Sequence, residues 1–283
     1  MSTRASQSAA DTKPLIEVRA LDVTFGRQRV LRNINLSIPR GQTLAIIGES
    51  GCGKTVFLKT LIALVAPTRG EITFDGRNLA TLSDKELTAQ RLRYGFVFQG
   101  AALFDSMTIG ENVAFPLHED EHLSRQKIDE IVLSRLAEVG LPESIIHKKP
   151  AELSGGMRKR VGLARALAMD PEVILYDEPT TGLDPIMSDV INELILRTRQ
   201  RYPVTSIVVT HDMHTAHKVS DRIVMFYPLS RLKPGEPQII FEGTADQIDR
   251  ASDPRVTQFV EGEAGERLME MRKLNHNSNA GAA

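Results

Sequence analysis

The chain has 283 residues, 41% hydrophobic and 25% charged, with a formal net charge of −1. Such a length can bury a substantial core as one large domain or two small ones, and the near-neutral balance argues against a nucleic-acid partner, because binding a phosphate backbone shows as a basic surplus. The single cysteine, Cys52, cannot close an internal disulfide, which fits a reducing compartment.

Residues 1–14 read as a disordered arm rich in Ser, Ala and Thr. Residues 15–25 and 30–38 alternate like strands across the turn-like Gly26-Arg27-Gln28. Residues 43–47 are a compact apolar run suited to a buried strand. A helix beginning near Lys54 carries Phe57, Leu58, Leu61 and Ile62 inward, and Pro67 and Gly70 mark its end. A strand over 72–74 and a turn at Asp75-Gly76 follow. From about residue 83 charged helical segments dominate, the clearest over 125–139 with Ser124 as its cap and Gly140 as its stop. The expectation is a helical subdomain, about residues 83–165, inserted into a sheet domain that spans 15–250. The α/β alternation returns with a helix over 157–168, a strand over 173–176, a helix over 185–198 and a strand over 207–210. Residues 223–226 and 238–241 are short strands, and 251–283 form an extension that is partly disordered. No apolar run approaches the roughly 20 residues that cross a bilayer, and the first residues lack a secretion signal's apolar core. A chain that stays in the cytoplasm, able to dock on a membrane protein, is therefore expected.

Four stretches carry chemistry. Gly48-Glu49-Ser50-Gly51-Cys52-Gly53-Lys54-Thr55 matches the phosphate-binding loop pattern, between an apolar run and a helix. Its glycines let successive N–H groups face a phosphate; Lys54 neutralises β- and γ-phosphate charge and the Thr55 hydroxyl coordinates Mg²⁺. The apolar run at 173–176 ends in Asp177 and Glu178, on the side where α/β proteins bind ligands. Asp177 suits the Mg²⁺, and Glu178 suits orienting or deprotonating an attacking water. His211 follows the next apolar run, placed to contact the γ-phosphate or position water. His214 and His217 continue at spacing three, which is an incomplete ligand set for a metal; they read as structural or surface residues. Leu153-Ser154-Gly155-Gly156-Met157 opens an amphipathic helix whose free N–H groups attract an anion.

In this order the residues resemble the ATP-binding cassette (ABC) ATPases over about residues 15–245, which implies an α/β P-loop NTPase with a mixed sheet core. On that resemblance Gly48–Thr55 is Walker A, Gln99 is the Q-loop glutamine that binds Mg²⁺, and Leu153–Met157 is the signature, with Met157 in place of the usual glutamine. Val173–Glu178 is Walker B with its catalytic glutamate, Gly182-Leu183-Asp184 is the D-loop, His211 is the switch histidine, and Phe25 stacks under adenine. The resemblance implies a head-to-tail dimer, each ATP held between Lys54 of one copy and Ser154, Gly155 and Gly156 of the other.

Residues 98–104, 111–117, 153–160, 176–179 and 253–259 are also similar to the ATPase subunit of Mla-type phospholipid transporters. That resemblance implies two transmembrane permeases, a periplasmic lipid-binding subunit, a place on the cytoplasmic face of the inner membrane, and a role in outer-membrane lipid asymmetry. The alternative is the ATPase of a small-solute importer. An ABC protein of translation or DNA repair fits less well, since the chain has one Walker A and no long heptad stretch. Met107, Ile109, Val113 and Phe115 form either a docking face beside Gln99 or core packing, which sequence does not separate.

Overall fold

The computed structural model describes residues 13–263; the rest of the expected arm and the extension past 263 lie outside the described residues. β1 (Ile16–Phe25) and β2 (Gln28–Ile38) pair antiparallel, with the chain reversing at Gly26-Arg27. β3 (Thr43–Ile47) leads into α1 (Lys54–Leu61), after which β4 (Arg69–Phe74) and β5 (Arg77–Asn78) join the hairpin as a four-stranded antiparallel sheet of order β2-β1-β4-β5. Then come α2 (Asp84–Arg91), β6 (Tyr94–Val97), α3 (Ile109–Ala114), α4 (Arg125–Glu138) and α5 (Gly155–Leu167). β7 (Val173–Asp177), α6 (Pro185–Arg201), β8 (Thr205–Val209), α7 (Met213–Val219), β9 (Arg222–Phe226), β10 (Ile239–Gly243), α8 (Ala245–Ile248) and α9 (Pro254–Glu261) complete it.

The second sheet has the order β10-β9-β3-β8-β7-β6, parallel throughout except for antiparallel β10 at its edge. Its inner strands are apolar on both faces because both faces are covered. Leu44, Ile46, Leu175, Ile207 and Val209 pack with the antiparallel sheet and with Phe57, Leu58 and Leu61 of α1. Ile174, Tyr176 and Val208 turn the other way, into a core shared with α3, α4, α5 and α6. Ala45, Ile47, Ile223 and Met225 meet α7, α8 and α9. The described part of the extension thus folds back on its own chain, with Val256 fully buried. Among the described residues no helix is long and apolar enough to cross a membrane.

The structure refines one expectation and corrects another. The stretch from about residue 83, read as dominated by charged helical segments, also contains β6, which pairs with β7 and extends the sheet. Its Gly95 is required there, since a Cβ would stand 2.5 Å from the Ala166 carbonyl oxygen of α5. Helix α1 stops at Leu61, well short of Pro67, because Ala63 takes a left-handed φ of 53°. Arg91 of α2 reaches across to bond the freed carbonyls of Ile62 (3.0 Å) and Ala63 (2.9 Å), a tertiary cap for carbonyls the helix leaves open. Gly70 lies inside β4 instead.

An ion network ties the sheets together. Arg93 donates to both oxygens of Glu172 (2.6 and 2.9 Å) and to Asp75 (2.8 Å), and its guanidinium lies 4.4 Å from the Phe74 ring centroid. Arg40 bonds the same two acids. Both carboxylates are held below their ordinary range, chiefly because Arg93 donates to them. A lowered carboxylate pKa stabilises the fold above its ordinary value near 4, and that contribution is lost as pH falls through the folded value. Because both acids are well exposed, Arg93→Ala should cost only about 1–2 kcal/mol at neutral pH. The difference in melting temperature from the native chain should narrow below about pH 4. Equal melting temperatures at pH 7 would show that the network contributes nothing.

Candidate active site

The parallel sheet delivers its functional residues from the carboxyl ends of β3, β7 and β8, where an open α/β sheet leaves a crevice. β3 is followed by Gly48, whose φ of 142° suits glycine and where a Cβ would stand 2.2 Å from the Phe226 carbonyl oxygen. Gly53, at φ 98°, precedes α1, which has no side-chain cap. Its first N–H groups are thereby left for an anion. The Lys54 ammonium curls back over this loop, donating to the carbonyls of Gly48 (2.7 Å) and Glu49 (3.1 Å). Ser50 and Gly51 line the adjoining cleft. The Glu49 carboxylate accepts from Arg231 at 2.6 Å. The Cys52 thiol is buried in the core, and burial pushes it up, so what Cys52 offers a phosphate is its main chain.

Asp177, at the end of β7, accepts from the Thr55 hydroxyl at 2.9 Å. Burial pushes its carboxyl up, and the Thr55 bond partly opposes this. Glu178 follows at φ 51°, its N–H bonded to the Val209 carbonyl at 2.9 Å. One carboxylate oxygen accepts from the Thr181 hydroxyl (3.1 Å) and lies 2.7 Å from Nδ1 of His211. The other stands 4.0 Å from the Lys54 ammonium. With Gln99, Val30 and Val56, Lys54, Thr55, Glu178 and His211 wall a cleft of about 320 Å³. Sequence-predicted residues from four separated stretches thus meet in one place. A buried carboxylate, a hydroxyl and an amide make an all-oxygen donor set of the kind Mg²⁺ takes beside phosphates, so Thr55, Asp177 and Gln99 fit that ion.

Other predicted residues stand apart. Phe25 is half exposed at the end of β1 and does not line the cleft. Ser154 caps α5 by accepting from the Met157 N–H at 3.3 Å. Gly156 is backed by Met187, whose Cε would lie 2.7 Å from a Cβ there. Ser154 and Gly155 are exposed, and none of the three lines the cleft. His214 lies 3.4 Å from Asp189, and His217 lies 2.9 Å from Asp249 and 2.7 Å from the Met213 carbonyl. Neither is in the cleft.

Sequence reasoning missed the braces behind these loops. Arg165 of α5 donates to the carbonyls of Ala101 and Ala102, each at 2.8 Å, holding two left-handed alanines just after Gln99. The buried Gln238 donates to the carbonyls of Cys52 (2.9 Å) and Val30 (3.1 Å), tying the phosphate loop to β2. Ile109 and Val113 are core residues, whereas Phe115 is exposed and meets the Phe104 ring at a 44° tilt with centroids 4.6 Å apart. These two rings border a groove of about 670 Å³ with Phe96, Phe98, Pro116 and Met169.

The family model described as ABC transporter matches residues 31–181. The chain is 42% identical to the intermembrane phospholipid transport system ATP-binding protein MlaF of Haemophilus influenzae, over 88% of this chain and 91% of that protein. It is 39% identical to the probable ribonucleotide transport ATP-binding protein mkl of Mycobacterium bovis, over 92% of this chain and 70% of that one. Among solved structures, the dimeric post-hydrolysis state of the ATP-binding cassette MJ0796 bound to ADP and Pi aligns with a TM-score of 0.71 at 34% identity, covering 81% of this chain and 98% of that one. A phosphate loop, a buried acid pair and a histidine converging on one cleft are what a nucleoside-triphosphate hydrolase needs, and the family match and the ATP-binding relatives point the same way: the chain is an ATP-binding, ATP-hydrolysing subunit of the ABC transporter family.

Proposed function

We propose that this subunit powers phospholipid transport between the inner and outer membranes, maintaining outer-membrane lipid asymmetry. The observation that carries this reading is the 42% identity, along nearly the full length, to a protein of an intermembrane phospholipid transport system. The alternative is the ATPase of a small-solute importer, supported by the 39% identity to a probable ribonucleotide transport ATP-binding protein.

Two copies form a dimer, which the dimeric MJ0796 structure supports, and pair head to tail so that Ser154, Gly155 and Gly156 of one copy close the cleft of the other. The phosphate loop and Lys54 hold the nucleotide, and Thr55, Asp177 and Gln99 hold Mg²⁺, which neutralises phosphate charge when bound. Glu178 orients or deprotonates the attacking water, His211 steadies its carboxylate beside the γ-phosphate, and Phe25 stacks under adenine. Hydrolysis removes the anion that joins the copies, and the dimer opens. The groove at Phe104 and Phe115 receives a transmembrane permease at the cytoplasmic face of the inner membrane, and a periplasmic lipid-binding subunit joins through that permease.

Affinity purification from detergent-solubilised membranes, with mass spectrometry of proteins and lipids, tests this. A permease, a lipid-binding subunit and bound phospholipid are the expected result. A stable complex with a solute permease and no lipid component would overturn the lipid reading and favour the alternative.

A further inference from the structure

Lys159 lies five residues past Ser154 on α5, about 7–8 Å along the helix. Its residue is only 8% exposed. No ion pair neutralises it among the described residues, yet its ammonium donates to the main-chain carbonyl of Glu178 at 3.2 Å. Burial pushes this ammonium down, partly opposed by the Glu178 charge. Burying a cation with so little compensation is costly, and an apolar side chain of the same length would fill the space without that cost. What the ammonium adds is a fixed donor under a peptide that needs one. Glu178 sits at φ 51°, a region non-glycine residues seldom occupy, and its side chain reaches His211 and Thr181 only while that turn is held. The carbonyl is held by Lys159 and the N–H by the Val209 carbonyl, so both main-chain groups of the strained residue are fixed.

We propose that Lys159 is a positioning residue for Glu178, holding its main chain so that the carboxylate faces the cleft, and that α5 links this contact to the signature end of the same helix. The inference rests on the reading above that Glu178 acts on the water and that Ser154 closes the partner copy's cleft. In that dimer one rigid helix touches the other copy's nucleotide at its first residue and its own copy's Glu178 at its fifth. Occupancy of one cleft is then felt at the glutamate of the other.

The test is steady-state ATPase kinetics on the full-length chain with Lys159→Met and Lys159→Gln, alongside Glu178→Gln and the double variant Glu178→Gln/Lys159→Met. Lys159→Met should lower kcat about tenfold or more while KM for ATP changes by less than about threefold, because the group acts on the reacting geometry and not on nucleotide binding. Lys159→Gln keeps an N–H donor and should recover much of that loss. The double variant should still dimerise on ATP addition in size-exclusion chromatography. Native kcat in Lys159→Met would overturn the proposal. So would a joint loss of ATP affinity and melting temperature that glutamine does not restore, which would mark a purely structural residue. Normal turnover in Glu178→Gln alone would instead sink the role given to Glu178, and failure of Glu178→Gln alone to dimerise with ATP would sink the dimer reading, each separately from Lys159.

Discussion

Glu178→Gln should bind ATP with near-native affinity while its turnover falls by about two to four orders of magnitude, the usual worth of a positioned general base. The substitution keeps the side chain's length and shape, so the left-handed turn and its bond to Val209 should persist. What it removes is charge. The native carboxylate oxygen near His211 accepts two neighbours at once, from Thr181 at 3.1 Å and against the imidazole at 2.7 Å. An amide cannot take a proton from water at useful pH. With hydrolysis blocked, the bound nucleotide should hold two copies together, so ATP should shift the variant to dimer in size-exclusion chromatography and leave it there. Native turnover in this variant would remove Glu178 from the chemistry. Turnover lost together with ATP affinity would mean that the residue shapes the nucleotide site and does not act on the water.

How far the site could be read from sequence depended on whether its parts are contiguous. Gly48–Thr55 declares itself because every residue that shapes the loop is adjacent, and β3 before it is apolar throughout. Asp177 and Glu178 stand out for the same reason, as acids closing an all-buried strand. β6 was hidden: Tyr94-Gly95-Phe96-Val97 is short, carries a glycine, and follows the charged α2. Only its pairing with β7 and the press of Ala166 explain both the strand and the glycine. The end of α1 was misread because its cap is Arg91, distant in sequence, and Pro67 is the louder local signal. Lys159, Arg165 and Gln238 follow the same rule. Each acts through a carbonyl of a remote loop, and a main-chain acceptor leaves no trace in side-chain spelling. Phe115 and Val113 differ by two residues and are alike in hydropathy, yet one is exposed and the other is core; solvent exposure at the end of a short helix is set by what packs against it.

Lys54→Ala should fail one step earlier, at nucleotide binding. Among the described residues the ammonium is buried and bonded to carbonyls of its own loop, at 2.7 and 3.1 Å, with the Glu178 carboxylate 4.0 Å away. Carbonyls share a cation weakly compared with phosphate oxygens, so the ammonium is already in place and loses little on turning to a ligand. Charge-assisted hydrogen bonds contribute about 1.5–3 kcal/mol each, and losing one or two should weaken ATP binding by roughly 10- to 10⁴-fold. A second effect acts in the same direction. Without Lys54, Glu178 and Asp177 face an incoming polyphosphate with no fixed cation between them, and like charges in a partly desolvated cleft repel strongly. Titration with a fluorescent ATP analogue reads the affinity directly. The thermal shift that Mg²⁺-ATP gives the native chain should shrink or vanish in the variant, since a ligand stabilises only as far as it binds. The two variants should therefore separate cleanly: Glu178→Gln keeps the nucleotide-induced shift and loses turnover, whereas Lys54→Ala loses both. Native affinity in Lys54→Ala would mean that the loop's N–H groups alone carry the phosphates and that the lysine serves the transferred group only.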